Sequence, residues 1–263
     1  MKLTDHIVKN DFIVILTGAG ISAESGVKTF RDNDGLWENH RVEDVATPQA
    51  FTRNPQLVWR FYRERYEQSE EVQPNAGHRA LVTLEEAFQD RFLLVTQNVD
   101  GLHTKAGSQR VLEMHGSLYT CFCVRCKQKF QMSEINLDSD IPPCPACGSS
   151  LRPDIVWFGE TPYFLDEIFH ALQKVTVFIS IGTSGNVYPA ASFIAMARQN
   201  GAKTISVNLA KPDNDIHVDY SIQGKAGEIL PQLVREWIEG GQTLRITKLR
   251  EKDNIWPETK KMI

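Results

Sequence analysis

The 263-residue sequence has no cysteine before position 121 or after position 147, and all five of its cysteines lie within those limits. Disulfide frameworks spread their half-cystines along a chain, so this clustering argues for metal ligation and a reducing compartment. No apolar run approaches the ~18 residues that a membrane span requires. The opening residues MKLTDHIVKN lack the apolar core of a secretory signal, so cytoplasm is the expected location. Basic charge is not in excess either. The formal net charge of −4 gives no reason to expect nucleic-acid binding. Internal repeats and low-complexity linkers are missing too. What is there, 41% hydrophobic and 24% charged residues, is ordinary for a soluble globular protein. It suffices for a large core, as one big domain or a domain with an inserted module.

Phe12 to Leu16 (FIVIL) reads as a buried strand and runs directly into Thr17-Gly18-Ala19-Gly20-Ile21-Ser22-Ala23. Gly18, Gly20 and Ala23 fit the G-x-G-x-x-G/A spacing, in which glycines allow a tight turn and close approach to a pyrophosphate at a helix N-terminus. Glycines also serve ordinary turns, so this signal alone is weak. The acidic residue of dehydrogenases, ~20 residues on at the end of a second strand, has no clear counterpart. Asp32 and Asp34 stand in a polar, loop-like context. The expectation is dinucleotide binding without the dehydrogenase layout.

Thr96 to Gly116, TQNVDGLHTKAGSQRVLEMHG, reads as loop around a second polar cluster. Phe92 to Val95 is a short buried-strand pattern, and Gln97, Asn98 and Asp100 follow at its carboxyl end, where open α/β sheets bind ligands. A second apolar run, Val111 to Met114, delivers His115 beside Gly116. An imidazole there suits a general base near neutral pH. A lone histidine is more often a surface residue; two polar clusters in one segment favour a site.

Asn54-Pro55 starts a helix with a capping side chain and a first-turn proline. On its wheel Val58, Phe61 and Tyr62 share a face with Arg65 in mid-arc, and Arg60, Arg63, Glu64 and Glu67 lie opposite. A guanidinium inside an apolar stripe needs a partner. Two readings stand: Arg65 snorkels or pairs with a protein carboxylate, or it receives an anionic ligand group with help from the Tyr62 hydroxyl. Another helix opens at Pro74-Asn75 and runs to about Phe88.

Cys123-x-x-Cys126 and Cys144-x-x-Cys147 are separated by residues 127 to 143. That spacing falls inside the pattern for tetrahedral zinc, and four thiolates close the shell, so the site is structural. Cys121 is left as a buried or half-exposed thiol. Beyond the cysteines, Leu151 to Glu160 includes the extended-looking IVWFGE. Buried strands follow at Thr176 to Ile181, ending in Gly182-Thr183-Ser184, and at Thr204 to Val207, ending at Asn208. Helices are expected near 163–173, 187–199 and 226–239. The charged tail from Lys248 is expected at the surface.

With these residues together, the chain resembles the sirtuin family of NAD-dependent protein deacylases over nearly its whole length. The matching pieces, in order, are GAGISAESGVKTFR, TQNVDGLH, the HG at His115, the four cysteines, FGE, GTS and the final VNL. The resemblance implies an α/β fold: a Rossmann-like doubly wound parallel sheet with a small inserted zinc-ribbon module and a helical insertion. Residues 1–118 and 153–263 would form the NAD-binding domain, with the helical insertion at about 32–75, and 119–152 the zinc module. It implies His115 as general base with Asn98 beside it. The NAD pocket would comprise Gly18, Ala19, Gly20, Ala23, Phe30, Arg31, Trp37, Gln97, Asn98, Val99 and Asp100, and on the adenosine side Gly182, Thr183, Ser184, Asn208 and Ala226. Val156, Phe158 and Gly159 resemble the edge that binds an acyl-lysine segment in extended form. Tyr62-x-x-Arg65 and the small Ala46 resemble the marks of the desuccinylase and demalonylase branch, with a succinyl carboxylate answering Arg65. In the implied reaction the acyl oxygen displaces nicotinamide from NAD. Neutral His115 then takes a proton from the ribose, and with one water consumed the products are lysine, nicotinamide and O-acyl-ADP-ribose. Two alternatives stay open, a protein mono-ADP-ribosyltransferase and a non-catalytic NAD-binding module. The first leaves Tyr62 and Arg65 without a role, and the second leaves His115 and Asn98 without one.

Overall fold

The computed structural model describes residues 7, 10–27, 36, 37 and 40–239. The chain begins with strand β1 (Ile13–Thr17), every residue of which is buried. A two-residue pair, β2 (Leu36–Trp37) and β3 (His40–Arg41), precedes three helices, α1 (Val42–Val45), α2 (Pro48–Arg53) and α3 (Pro55–Glu71). Helix α4 (Ala76–Phe88), strand β4 (Phe92–Thr96), helix α5 (Leu102–Ala106) and strand β5 (Val111–Glu113) follow. The middle of the chain forms β6 (Gly116–Cys123), β7 (Lys129–Gln131) and β8 (Leu151–Ile155). Helix α6 (Leu165–Lys174), β9 (Val177–Ile181), α7 (Ala190–Gln199), β10 (Lys203–Asn208), β11 (Tyr220–Gln223) and α8 (Ala226–Glu239) complete it.

Six strands form one sheet in the order β11-β10-β9-β1-β4-β5, with every neighbouring pair parallel. Counted along the chain among these six, this is the 3-2-1-4-5-6 order of the doubly wound dinucleotide folds. Alternate residues of β1 feed different layers. Ile13 and Ile15 pack with α4 (Leu81, Leu84, Phe88) and α8 (Leu230, Leu233, Trp237). Val14 and Leu16 pack with α6 (Ile168, Leu172) and α7 (Phe193, Ile194). Both faces are therefore covered, which is why the sequence shows continuous apolar runs rather than alternation. No helix of the described residues is long and apolar enough to cross a membrane.

Three expectations need correction. The glycine fingerprint leads not into an α-helix but into two 3-10 turns, Ala19–Ile21 and Ala23–Ser25, the second closed by Gly26 at φ 93°. Three-residue turns offer no helix macrodipole, so any phosphate would be met by backbone N–H groups alone. The Thr96 to Gly116 stretch is not all loop: α5 sits within it between Gly101 and Gly107, both at positive φ. The extended reading of IVWFGE stops at Ile155, because the Glu160 N–H folds back onto the Trp157 carbonyl at 2.9 Å. Arg63 lies opposite the stripe, as expected, and is half-buried there. Its Nη2 donates to the Ser139 carbonyl at 2.6 Å and ties α3 to the cysteine-bearing segment.

Candidate active site

Strand β1 lies between β4 and β9, so the order of the sheet reverses at the β1–β9 pair. A crevice opens outside the carboxyl ends of the strands at such a switch point. Here it is floored by bare backbone. A Cβ on Gly18 would lie 2.8 Å from the Gly182 carbonyl oxygen, and one on Gly20 would lie 2.7 Å from the Gly182 Cα. Gly182 itself adopts φ 62°. The immediate need for these glycines is thus the contact of the two loops, which hydrogen-bond through Gly20 N–H to Gly182 O at 2.9 Å. The narrow cradle that results also suits a dinucleotide whose phosphates must approach backbone. Along its rim stand Ala19, Ala23, Thr183, Ser184 and Asn208; Thr183 is held by the Ser180 hydroxyl at 3.0 Å and Asn208 by Ser206 at 2.9 Å.

The β4 end joins the same crevice. Asn98 donates its side-chain amide to Gly18 O and to Ser22 Oγ, both at 3.1 Å. Ser22 in turn donates to Asp100 Oδ2 at 2.7 Å. Burial raises the Asp100 pKa, opposed by the Leu102 N–H and the Ser22 hydroxyl. Sequence reasoning passed over Ser22, which is fully buried, and the group beneath it. His78 lies 3.5 Å from Ser22 Oγ, and its ring centroid is 4.8 Å from that of His103, which meets Thr17 Oγ1 at 3.0 Å. Burial pushes His78 down to about 4 and His103 well below its ordinary value. These two imidazoles are neutral supports for the loop. The one visible hint was the polarity of His78 inside a helix-forming segment.

His115 follows β5 and reaches toward the Gln97 turn, its Nδ1 3.0 Å from the Gln97 carbonyl oxygen. A carbonyl only accepts, so Nδ1 carries the proton and Nε2 keeps its lone pair. Burial lowers the His115 pKa, partly countered by that hydrogen bond. The backbone behind it is equally constrained. The His115 carbonyl accepts from Val156 N–H at 2.9 Å, while Gly116 sits at φ 82° with the Asp154 carbonyl oxygen 1.9 Å from where a Cβ would stand. Gly116→Ala is expected to cost about 3 kcal/mol or more through strain and clash, and to displace His115. Thermal melting checks this: an unchanged midpoint would mean that β8 yields without cost.

A second group of residues meets on the α3 side. Asn54 caps α3 by accepting from Leu57 N–H at 3.1 Å, as the sequence indicated. Ala46, Tyr62 and Trp157 are buried in one cluster with Val58, Phe61 and Leu118, and Val99 packs against it. Phe158 N–H donates to the Ala46 carbonyl at 3.0 Å, and its ring is 53% exposed at the rim. The Arg65 guanidinium stacks on Phe61 at 5.0 Å with its side chain 15% exposed, yet its Nε and Nη1 are buried and find no hydrogen-bond partner among the described residues. The Glu64 carboxylate, 3.6 Å from Nη2 and half exposed, answers only one edge.

Ala226 is buried where α8 meets α4, close enough that a Cβ on Gly77 would lie 3.2 Å from its carbonyl carbon. Phe30, Arg31, Asp32, Asp34 and the tail from Lys248 lie outside the described residues, as does the side chain of Trp37. A separate cavity of about 560 Å³ is lined by Glu113, Ser117, Asp154 and Tyr163 among others, and none of the residues assigned from the sequence lines it.

The four cysteines of the paired motifs converge between β6 and β8, with their sulfurs within 4.8 Å of one another. Cys123 and Cys147 Sγ are 3.5 Å apart, and Cys126 and Cys144 Sγ 3.7 Å. A tetrahedron with zinc–sulfur bonds of ~2.3 Å has edges of about 3.8 Å. The donor set and its span therefore fit zinc. Cys121 is fully buried and donates its thiol to the Phe130 carbonyl at 3.7 Å, apart from this group.

Comparison with known proteins gives concordant matches. The model of the Sir2 family matches residues 18–189. An NAD-dependent protein deacylase of Bdellovibrio bacteriovorus is 52% identical over 232 residues, covering 86% of this chain and 97% of its own. One of Salmonella typhimurium is 48% identical, covering 91% and 88% respectively. Among solved structures, a Sir2 homologue–NAD complex superposes with a TM-score of 0.81 at 41% identity, covering 88% of this chain and 91% of its own. A Sir2–p53 peptide–NAD+ complex gives 0.76 at 32% identity, covering 86% and 92%.

Proposed function

The chain belongs to the Sir2 family and is an NAD-dependent protein deacylase, and we propose that its preferred acyl groups carry a carboxylate: succinyl- and malonyl-lysine, with acetyl-lysine also accepted. The observation that carries this reading is the Arg65 guanidinium, two of whose nitrogens are buried with no hydrogen-bond partner among the described residues. A protein does not bury an unmet cation without cost, and a substrate carboxylate in bidentate geometry is the partner that removes it. Tyr62, one helical turn earlier on the same face, adds a hydroxyl, and the small Ala46 side chain in the same cluster leaves room.

In this assignment the cradle of Gly18, Ala19, Gly20 and Ala23 holds the pyrophosphate side of NAD, and Gly182, Thr183, Ser184 and Asn208 hold the adenosine side. Gln97, Asn98 and Asp100 stand at the nicotinamide ribose. Bound NAD supplies a ribose whose bond to nicotinamide is broken by attack of the acyl oxygen. Asn98, fixed by Gly18 O and Ser22, orients that end of the pocket. His115 Nε2, held free by the Gln97 carbonyl, accepts a proton from a ribose hydroxyl. The substrate enters as an extended segment along Val156–Gly159. There the N–H groups of Val156 and Phe158 are already spent on His115 and Ala46, so these two cannot donate to the substrate backbone. We assign residues 1–118 and 153–263 to the NAD-binding domain and 119–152 to the zinc module. Thiolate ligands require a reducing compartment, which the cytoplasm supplies.

Arg65→Met tests the acyl preference. A charge-assisted hydrogen bond contributes roughly 1.5–3 kcal/mol, so kcat/KM for a succinyl-lysine peptide should fall about ten- to a hundredfold. Acetyl-lysine has no carboxylate and should lose far less. Proportional losses on both peptides, with a lower melting temperature, would make Arg65 a structural residue and the chain an ordinary deacetylase.

A further inference from the structure

The β6–β8 ladder breaks directly behind His115. Gly116 pairs with Ile155 and Cys121 with Pro153, so residues 117 to 120 of β6 stand opposite Asp154 alone. Interruptions of this kind re-aim side chains and collect beside active sites. The space behind this one is not closed by packing. The cavity of about 560 Å³ lies there, with Gly116, Ser117, Thr120, Asp154 and Tyr163 in its wall. Directed bonds hold the wall instead. The Asp154 side chain is 4% exposed, and its Oδ1 accepts from the Tyr163 hydroxyl at 2.7 Å. Its Oδ2 accepts from Lys129 Nζ at 2.7 Å and from Thr120 Oγ1 at 3.1 Å. Lys129 also sits over the Tyr163 ring, 4.8 Å from the centroid. Tyr163 in turn reaches the segment that carries His115, its peptide N–H donating to the Met114 carbonyl at 2.9 Å. On the other side of His115, the Asp154 carbonyl oxygen abuts Gly116.

We propose that Asp154 is a positioning residue for His115: its carboxylate holds Tyr163, and through the Tyr163–Met114 bond it braces the backbone from which the imidazole reaches Gln97. This rests on the reading of His115 as the general base. A buried carboxylate is a costly way to fill space, because an apolar residue of similar volume is often no less stable than a buried ion pair. What Asp154 adds is three directed bonds at the break in the ladder. Two of the donors, Thr120 and Lys129, stand on β6 and β7, and the third follows β8. The brace therefore joins the sheet that carries the cysteines to the backbone on either side of His115.

The test loosens the brace without touching His115. Tyr163→Phe removes the hydroxyl and keeps the ring and the peptide N–H, while Asp154→Asn keeps the shape and removes the charge. In each, kcat should fall about tenfold, within what a misplacement of ~1 Å costs, while KM for NAD and for the acyl-lysine peptide stays within about twofold. The double variant should be no slower than the slower single one, since both cut the same strut. Nitrogen-15 NMR at alkaline pH supplies a reading besides activity. The His115 ring, identified by its loss in His115→Ala, should carry its proton on Nδ1 in the wild type, and a share should pass to Nε2 in both variants as the Gln97 bond loosens. A role in folding alone would lower the melting temperature and leave the tautomer and the kcat of the folded protein untouched, and that result would overturn the proposal. If Asp154→Asn does not fold, Tyr163→Phe decides alone, because it leaves the Lys129–Asp154 pair in place. The base reading fails separately: near-wild-type turnover in His115→Ala would remove it, and the tautomer would still show whether Asp154 holds the ring.

Discussion

Cys144→Ala protein is expected to purify without a full equivalent of zinc and without deacylase activity. Structural zinc held by small peptides contributes an apparent binding free energy of up to ~10–16 kcal/mol, and an alanine opens the closed shell. The consequence reaches the active site by a short path. Beside the cysteines, Leu151 and Met132 are buried in one cluster with Trp59 of α3, and the Trp59 indole donates to the Leu151 carbonyl at 2.9 Å. Arg63 makes a second tie, to Ser139. The helix anchored in this way carries Tyr62 and Arg65 on its adjoining face, so a loosened zinc module should blur the acyl pocket as well as unfold itself. Metal analysis and melting curves are the measurements, with chelator-treated wild-type protein as the parallel case. A Cys144→Ala protein with one zinc per chain and full turnover would refute the metal site.

Much of this architecture was written locally in the sequence, and what was not depended on distance. β1, β4, β9 and β10 are buried on both faces and announce themselves as apolar runs. β11 did not, because an edge strand reading Tyr220-Ser221-Ile222-Gln223 is half-buried and too polar to stand out. Helix α5 has five residues between two positive-φ glycines, shorter than the window in which a 3.6-residue period can be recognised. The cysteine pairs were legible because metal ligation fixes spacing within each pair. The helical wheel placed Arg65 correctly in the stripe, but it could not see that Trp59 and Arg63 turn the neighbouring face into a support for the zinc module. Nor could any local pattern pair Tyr62 with Trp157, or His78 with His103. Buried polar groups must find partners, and the sequence does not say which. The glycines of the cradle carry a further lesson. Their spacing pointed to a ligand, and the structure adds that Gly18 and Gly20 are required first by Gly182.

His115→Ala is expected to lower deacylation by about a hundred- to ten-thousandfold, the range over which a positioned general base contributes. Zinc content and melting temperature should stay near those of the wild type, because among the described residues the His115 side chain hydrogen-bonds to Gln97 alone, and its backbone tie to Val156 survives the substitution. The pH profile supplies the independent check. A base must be neutral, and burial has lowered the His115 pKa below its ordinary 6.5. As pH falls, protonation of Nε2 is therefore delayed, and wild-type kcat/KM should fall to half its plateau only at a pH below 6.5. The alanine protein has no imidazole at this position to titrate, so its residual rate should lack that limb. Two results would remove His115 from the proton transfer: turnover in the alanine protein within about tenfold of wild type, or an acid limb that persists unchanged after the substitution. With the limb lost and the rate collapsed together, the proton acceptor is the imidazole that Gln97 holds in place.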